Sequence, residues 1–351
     1  MSSVRSQNSL SNAIFELQEG TEQSMKSSGH LKTSVAVSLL CGALMLLFTT
    51  YGCGKGGNKG GSSGGGTGGA NVLKYALQTE PTQIDPAKVE DGDTIDLLQN
   101  IFESLVMWSE ENTIVPNIAE KWDISPDGKV YTFHLHDNVK FHNGRKMVAA
   151  DIAYSITRSL LKETKSPTAY IYLNDIVGSK DVYDGKTKTL SGVKVIDDKT
   201  LQITLDNRHP YFLGKLTFPT AYVVCKEAIE ANGNKFDEKT MIGTGPFKLE
   251  SYQQGATVKL AGFKEYHGGA PLLDGIERPI MKDSVTRQSA YESGALDYTD
   301  VQRSDVERLQ KDAKLSKELK VIPRANVWYL ALNQISFEPF KKKEVRQAFA
   351  Y

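Results

Sequence analysis

The stretch "IAEKWDISPDGKVYTFHLHDNVKFHNGRKMVAADIAYSITR", residues 118–158, carries the clearest run of secondary-structure signals in the chain. A Pro-Asp-Gly turn at 126–128 separates two alternating segments, which predicts a β-hairpin. Helical spacing then begins, with Ile152 and Ile156 on one side of a helix over 148–162. The stretch therefore predicts a hairpin followed by an amphipathic helix.

Three histidines lie in the second strand of this hairpin and just after it. An H-x-H pair, His134 and His136, with His142 as a third nitrogen, is what a metal site needs, so a metal-dependent hydrolase is one hypothesis. The H-x-H motif of metallo-β-lactamase-type hydrolases continues with Asp-His, whereas this chain reads "HLHDNV". We therefore favour a half-buried strand, with Phe133 and Leu135 facing inward and the histidines facing outward.

Other catalytic motifs are missing from the sequence. "GTGPF" at 243–247 lacks the Lys-Ser/Thr pair of a phosphate-binding loop and the third glycine of a dinucleotide fingerprint, so its glycines are expected to turn the chain into a hairpin. G-x-S-x-G does not occur. Cys225 has no histidine-paired motif around it, and we expect a buried, inert thiol. We predict a protein without catalytic residues, bound metal or cofactor.

Composition limits the class of protein and its partners. The 351 residues are enough for about two domains. Hydrophobic residues make up 40% and charged residues 24%, as in ordinary globular proteins. Lys plus Arg equals Asp plus Glu at 42 each, so no overall basic field exists to attract nucleic acid.

The N-terminal region predicts export. Residues 34–50 form an apolar run without charge, and Lys26 and Lys32 precede it, as in a signal peptide. A permanent membrane anchor is the alternative, because about 17 apolar residues can just span a bilayer. Met25 would give such a signal a tidier start than Met1.

A cysteine follows the apolar run directly. Gly52-Cys53 resembles the lipobox of bacterial lipoproteins, although Thr50 stands where a leucine is usual. The Gly/Ser-rich stretch that follows, up to residue 70, should behave as a flexible tether. We predict an extension and lipoprotein signal peptide over 1–52, and a lipidated Cys53 with its tether over 53–70.

The rest of the chain mixes strands and helices without a regular βαβ period, which favours an α/β fold with mixed sheets. The pattern predicts strands at 72–79, 295–299 and 326–333, hairpins at 193–205 and 245–263, and helices at 94–107, 284–293 and 341–351, with a loop over 80–93. The last helix ends without a C-terminal signal, so the chain is expected to be cut short there.

Four segments together resemble the extracellular solute-binding proteins of family 5, the oligopeptide, dipeptide and nickel receptors of ABC importers. They are "LKYALQTEPTQIDPAKVEDGDTIDLLQNIFESLV", "PNIAEKWDISPDGKVYTFHLHDNVKFHNGRKMVAADIAYSITRSL", "GTGPFKLESY" and "NVWYLALNQISFEPFKKKEVRQAFAY". The resemblance covers about residues 72–351 and implies a periplasmic-binding-protein-like fold of type II, with two lobes that close on a solute. It implies a first lobe over 72–299 with a small inserted domain at about 90–202, and the start of a truncated second lobe over 300–351.

The resemblance also implies a function. The protein is expected to capture di- or oligopeptides outside the cytoplasmic membrane as a monomer, without enzymatic activity, and to deliver them to ABC permease subunits. The same fold with another solute (a nickel chelate, haem, a sugar oligomer or an opine) is the alternative. Lipid at Cys53 would hold the protein at the cell envelope.

The resemblance points to a loop and a strand beside the ligand. Glu90 in "PAKVEDGD" matches a glutamate that helps hold the amino end of the peptide, whereas the next residue, a glycine in the receptors, is aspartate here. The strand "VWYLALN" enters the second lobe beside the cleft. The candidate ligand-binding residues are Glu90, Asp91, Asp93, Thr94, Tyr329 and Asn333.

Overall fold

The computed structural model describes residues 70–322 and 329–349, where ten strands form three sheets. The strands are β1 Val72–Lys74, β2 Val106–Trp108, β3 Ile114–Pro116, β4 Ala119–Ile124, β5 Val130–Leu135, β6 Val193–Asp197, β7 Thr200–Thr204, β8 Phe247–Gln253, β9 Thr257–Gly262 and β10 Gly275–Pro279. The helices are α1 Gly92–Leu98, α2 Ala149–Leu160, α3 Ala169–Leu173, α4 Ser179–Tyr183, α5 Phe212–Leu216, α6 Lys226–Ala231, α7 Ser284–Glu292, α8 Val306–Lys311, α9 Leu315–Glu318 and α10 Lys343–Ala348. Short 3₁₀ turns lie at Lys162–Thr164, Pro219–Ala221, Glu238–Thr240 and Glu338–Lys341.

Of the two four-stranded sheets, one is mixed, as the sequence predicts, and the other is antiparallel. One has the order β1-β10-β9-β8, with β1 parallel to β10 and the other neighbours antiparallel. The second has the order β4-β5-β7-β6 and is antiparallel throughout. Strands β2 and β3 form a separate pair. In the mixed sheet the last strand, β10, thus lies beside the first, β1, which is the edge strand.

The predicted hairpins are confirmed by the antiparallel pairs β4–β5, β6–β7 and β8–β9. In β5 the side chains of Tyr131, Phe133 and Leu135 are buried and the intervening ones are only partly covered. Gly128 in the β4–β5 turn has φ +72°, which costs a glycine little. Gly255 serves the β8–β9 turn in the same way, with φ +71°.

Helix α2 confirms the helix predicted over 148–162. The Asp151 carboxylate accepts a hydrogen bond from the Val148 amide (2.9 Å) and is held by Arg145 (2.7 and 3.0 Å). The apolar face of α2, which includes Ile152 and Ile156, is fully buried. Each such side chain stabilises the fold by about 1.5–3 kcal/mol relative to an exposed one.

Two clusters of buried side chains support these elements. One holds the β4–β7 sheet, α2 and the segment up to Cys225, whose thiol is buried as predicted. The other holds the four-stranded sheet of β1, β8, β9 and β10, together with α1 and the residues just after α1. The lobe and insert boundaries at about residues 90, 202 and 300 stay a prediction; α1 packs in the cluster of the β1–β10 sheet.

The helix predicted over 94–107 is wrong beyond Leu98. The carbonyls of Asn100 and Ile101 accept hydrogen bonds from amides of the GTGPF segment, 243–247, at 3.0 and 2.9 Å. These backbone groups therefore cannot continue the i to i+4 ladder of a helix. The apolar spacing beyond α1 serves burial instead of helix formation.

Of the strand predicted at 72–79 only β1 forms, and the strand predicted at 295–299 is wrong. Beyond β1, isolated bridges join Tyr75 to Tyr298 and Leu77 to Ile280. Residues 329–333 form no strand, and residues 326–328 of that prediction lie outside the described residues. The helix predicted over 341–351 is confirmed as α10, which is shorter.

The GTGPF segment joins the two clusters. The His142 amide donates to the Gly243 carbonyl (2.9 Å), and the His142 imidazole bridges the Gly245 carbonyl (3.0 Å) and the Gly243 amide (3.3 Å). A Cβ on Gly245 would lie 2.7 Å from the Asn100 carbonyl oxygen, and one on Gly243 would overlap that of Ile101. Glycine is therefore required at both positions.

The predicted signal peptide, Cys53 and nearly all of its tether lie outside the described residues. Within residues 70–322 and 329–349, no helix is long and apolar enough to cross a bilayer.

Candidate functional site

The candidate site lies where the chain leaves β1 and turns into α1. Asp93 connects the two, because its Oδ2 accepts hydrogen bonds from the amides of Gln78 (3.0 Å) and Thr79 (2.9 Å) and from the Thr79 hydroxyl (3.2 Å). Its other oxygen, Oδ1, has no hydrogen bond within the part of the chain that the structure describes. Asp93 thus fixes the loop through one of its two carboxylate oxygens.

Asp91 and Thr94 form the N-terminal cap of α1. Asp91 Oδ1 accepts a hydrogen bond from the Thr94 amide at 2.8 Å. Such a cap contributes about 1 kcal/mol. The backbone at Asp91 is extended (φ −88°, ψ 146°), so this position does not need a glycine. The buried Thr94 hydroxyl has no partner among residues 70–322 and 329–349.

Glu90 has the most accessible carboxylate of this loop. The residue is exposed. No hydrogen bond or ion pair to its side chain occurs among the described residues. Because the group is already hydrated and unpaired, a ligand cation could approach it without displacing a protein partner.

A buried ion pair lies beneath the loop. Asp96 Oδ2 is 3.0 Å from Arg278 Nη1, and its Oδ1 accepts a hydrogen bond from Gln99 Nε2 (3.0 Å). The Arg278 guanidinium lies 3.6 Å from the centre of the Tyr75 ring and donates through Nε to the Tyr75 carbonyl (3.0 Å). Burial raises the pKa of Asp96 to about 6, although Arg278 opposes this.

Two further carboxylates act on this pair. Asp93 and Asp300 add to the raised pKa of Asp96 through their negative charges. Asp93 and Asp300 therefore lie near the Asp96–Arg278 pair, and Glu90 lies exposed in the loop before α1. The local charge favours a cationic group, such as an ammonium, over an anion.

The segment that follows α7, residues 295–300, runs along β1 at this edge and is called the crossover below. The Lys74 amide donates to Asp297 Oδ2, and the Asp297 amide donates to the Lys74 carbonyl, both at 2.7 Å. Further on, Gln78 Nε2 donates to Asp300 Oδ2 at 2.6 Å. The crossover is thereby attached to the same strand end that carries the candidate loop.

Tyr329 and Asn333 are the two candidate residues outside the loop before α1. Tyr329 is 83% exposed. Asn333 Oδ1 accepts hydrogen bonds from the amides of Ile335 (2.9 Å) and Ser336 (3.0 Å), so it shapes a turn. Within the described ranges, no hydrogen bond joins either residue to the loop at 90–94. The structure therefore brings together four of the six candidate residues.

The three histidines of the opening stretch point to different partners. His134 Nε2 lies 2.8 Å from Asp123 on the neighbouring strand, and the His136 ring lies 5.7 Å from the His267 ring. His142 contacts the GTGPF segment at 243–247. Within residues 70–322 and 329–349, no group of three or more His, Cys, Asp or Glu side chains could hold a metal ion.

Four further residues of this region were not predicted from the sequence: Gln78, Asp96, Arg278 and Asp300. Two of them left a signal. Asp96 interrupts the apolar run of α1, and Arg278 lies inside a strand with buried neighbours, where an unpaired charge would be costly. Gln78 and Asp300 have no such signal, because a polar residue after a strand is ordinary.

Comparison with known proteins gives a consistent result. The pattern of the bacterial extracellular solute-binding proteins, family 5 (middle region), matches residues 113–351. The "Probable deoxycholate-binding periplasmic protein YgiS" of Escherichia coli K12 is 30% identical over 281 residues, 79% of this chain and 52% of that protein. The "Dipeptide-binding protein" of the same organism is 30% identical over 298 residues, 80% of this chain and 54% of that protein.

A solved structure confirms the fold class predicted from the sequence. The pheromone receptor PrgZ, whose structure describes its mode of peptide binding, superimposes with a TM-score of 0.72 at 28% identity. The match covers 80% of this chain and 56% of that one. The chain spans about half the length of the curated relatives it matches.

Proposed function

Because the chain belongs to the bacterial extracellular solute-binding proteins of family 5, we propose that it captures di- or oligopeptides outside the cytoplasmic membrane and delivers them to an ABC permease. The observation that carries the proposal is the family match over residues 113–351. Relatives named for dipeptide and oligopeptide binding support peptides as the solute. The chemistry is binding alone, and no bond is made or broken.

The negative charge of the candidate site, which Glu90, Asp93, Asp96 and Asp300 supply, fits a peptide as the solute. We call this region the acidic edge. A peptide carries an ammonium at its amino end, and the exposed Glu90 and the free oxygen of Asp93 are acceptors for it. Backbone hydrogen bonds to an extended peptide give affinity without strong selection for side chains. Binding between two lobes would shift an open–closed equilibrium toward the closed form. Tyr329 and Asn333 stay candidate contacts from the second lobe.

The experiment is a calorimetric titration of the protein with mixed di- to pentapeptides, repeated with the same peptides N-acetylated. We expect heat from the free-amine peptides and at least fivefold weaker binding of the acetylated ones, because acetylation removes the ammonium charge. Equal affinity for both sets would contradict the role of the acidic edge. No binding of either set, together with binding of another solute, would refute the peptide function.

A second candidate solute has specific support. One relative at 30% identity is named as a probable deoxycholate-binding protein, which makes an amphipathic acid the second candidate. Deoxycholate is anionic at neutral pH, and the acidic edge disfavours it. Titration with deoxycholate under identical conditions distinguishes the two candidates.

Membrane attachment is a separate proposal. Cys53 would carry lipid and the glycine-rich segment after it would act as the tether of an exported protein. Cys53→Ser should release the protein from the membrane fraction of cells and abolish labelling with a radioactive fatty acid. Cys41→Ser is the matched control, since Cys41 lies inside the apolar run. Equal labelling of the wild type and Cys53→Ser would contradict lipidation.

We further propose that the protein is a monomer. Light scattering, which measures the molar mass in solution, tests this.

A further inference from the structure

The side chain of Gln78 occupies a central position at the candidate edge. Its Nε2 donates a hydrogen bond to Asp300 Oδ2 at 2.6 Å, and its Oε1 accepts one from Arg287 Nη2 at 3.3 Å. Both ends of one amide are therefore used, one toward the crossover and one toward α7. A single side chain connects two segments that are more than two hundred residues away in sequence from Gln78.

The α7 end of this connection is firmly held. Arg287 is buried, and its Nη1 donates to the carbonyls of Met281 (2.7 Å) and Lys282 (2.8 Å). The guanidinium cannot follow Gln78 without losing these hydrogen bonds. Arg287 therefore serves as the fixed support, and Gln78 presents its amide hydrogens in a defined direction.

The backbone of Gln78 is hydrogen-bonded to the loop at residues 90–94, which carries the candidate ligand-binding residues. Its amide donates to Asp93 Oδ2 at 3.0 Å, next to the Thr79 amide at 2.9 Å. A solute that draws on the free oxygen of Asp93 would therefore act on a carboxylate that already holds the Gln78 backbone. Gln78 therefore hydrogen-bonds to both Asp93 and the crossover.

The crossover has two attachments of different kinds. At Asp297, both hydrogen bonds involve the backbone of Lys74: the Asp297 amide donates to the Lys74 carbonyl, and the Lys74 amide donates to Asp297 Oδ2, each at 2.7 Å. At Asp300, which is exposed, the attachment consists of side chains: Gln78 on Oδ2 and the Tyr298 hydroxyl on Oδ1 at 3.2 Å. The second attachment can be released while the first stays in place.

We propose that Gln78 is a positioning residue that links the candidate loop to the crossover and fixes the direction in which the chain leaves Asp300. This role of Gln78 rests on the proposed function. A solute at Asp93 would act through the Gln78 link on the crossover, and so on the arrangement of the two lobes. The physical basis is an amide whose donor and acceptor ends are both committed, so that reversing either end breaks the chain of hydrogen bonds.

Reversal of hydrogen-bond polarity tests the proposal. Gln78→Glu keeps the acceptor for Arg287 but replaces the donor with a carboxylate facing Asp300. Adding Asp300→Asn restores a donor on the other side, so the double variant can rebuild the link with opposite polarity. Gln202→Ala is the control at a distant site, because the Gln202 side chain, like that of Gln78, donates one side-chain hydrogen bond, to Thr132 (3.3 Å).

The readout is hydrogen–deuterium exchange by mass spectrometry on the wild type and the variants without solute. We expect Gln78→Glu to raise exchange over residues 295–305 and 90–95 about fivefold, as loss of one hydrogen bond allows. Exchange in the β4–β7 sheet and the thermal midpoint should stay unchanged. The double variant should return to within about twofold of the wild type, whereas Gln202→Ala should leave both segments unaffected.

Three outcomes would overturn the proposal: unchanged exchange at both segments in Gln78→Glu, an increase spread over the whole chain, or no recovery in the double variant. Should Gln78→Glu fail to fold, Gln78→Ala gives the same comparison without the added charge. The measurement needs no solute. A protein that binds no peptide but shows the local increase refutes only the peptide function, whereas one that binds peptide without the increase refutes only the link.

Discussion

Acidification should weaken the contact between the two buried clusters through His142. The imidazole is held in its neutral form, with Nε2–H donating to the Gly245 carbonyl (3.0 Å) and Nδ1 accepting from the Gly243 amide (3.3 Å). Phe263 covers the ring edge-on at 5.1 Å. A proton on Nδ1 would face another N–H, and the charge would be poorly hydrated. Burial accordingly lowers the pKa of His142 to about 4.

The sign and size of the effect follow from linkage. The pKa of the folded state lies below the ordinary value of 6.5, so the unfolded chain binds the proton first as pH falls. The stabilisation is complete above about pH 6.5 and is lost as pH falls toward 4. The gap between these values corresponds to at most ~3 kcal/mol. Because solvent still reaches part of the residue, we expect about 2 kcal/mol.

Urea unfolding at several pH values between 7.5 and 4.5 measures this. His142→Gln keeps an amide that can donate and accept, but it cannot titrate. The free-energy difference between wild type and variant should shrink by about 2 kcal/mol across the range. Asn143→Ala, in the same loop, removes contacts without a titrating group, so its difference from wild type should be constant. A constant difference for His142→Gln, or one that grows with acid, would refute the reasoning.

Three other predictions concern the junction, the buried ion pair and the exposed carboxylate. Gly243→Ala should cost about 3 kcal/mol or more of unfolding free energy, or prevent folding, because its Cβ would overlap the carbonyl oxygen of Ile101, which lies just beyond α1; a midpoint within about 2 °C of wild type would contradict this. Arg278→Met should cost about 3–5 kcal/mol by leaving Asp96 buried without its partner. Adding Asp96→Asn should recover a large part of that loss in urea unfolding, and no recovery would contradict the ion-pair explanation. Glu90→Gln should weaken binding of free-amine peptides about fivefold without affecting N-acetylated ones, whereas Glu110→Gln, at another exposed site, should change neither; calorimetry distinguishes these outcomes.

The hairpins could be predicted because the information is local. In β5, burial alternates with the side-chain period of two, so the inward positions of Phe133 and Leu135 followed from the sequence. The turn residues Gly128 and Gly255 adopt positive φ in agreement with their signals. Period and turn chemistry act within a few residues of each other, and a sequence pattern reports both.

The limits of prediction lie where distant segments compete for the same backbone. Beyond Leu98 the apolar spacing continued at helical period, but the carbonyls of Asn100 and Ile101 bond to the amides of the 243–247 segment. Asp91 resembles a ligand-contact position, yet it caps α1 through the Thr94 amide. Nothing within a ten-residue window distinguishes these outcomes, because the competing partner is set by the tertiary fold.

The histidines illustrate the same division. Strand alternation correctly placed His134 and His136 away from Phe133, but it could not supply their partners. His134 faces Asp123 inside its own sheet, whereas His142 crosses to the segment that begins β8. The histidines of this stretch therefore serve two structural purposes. His134 pairs with a neighbouring strand of its own sheet, and His142 holds the segment that leads into β8. The acidic edge near Asp93, in contrast, leaves acceptors uncommitted, which is the property that a solute-binding surface needs and that a structural junction lacks.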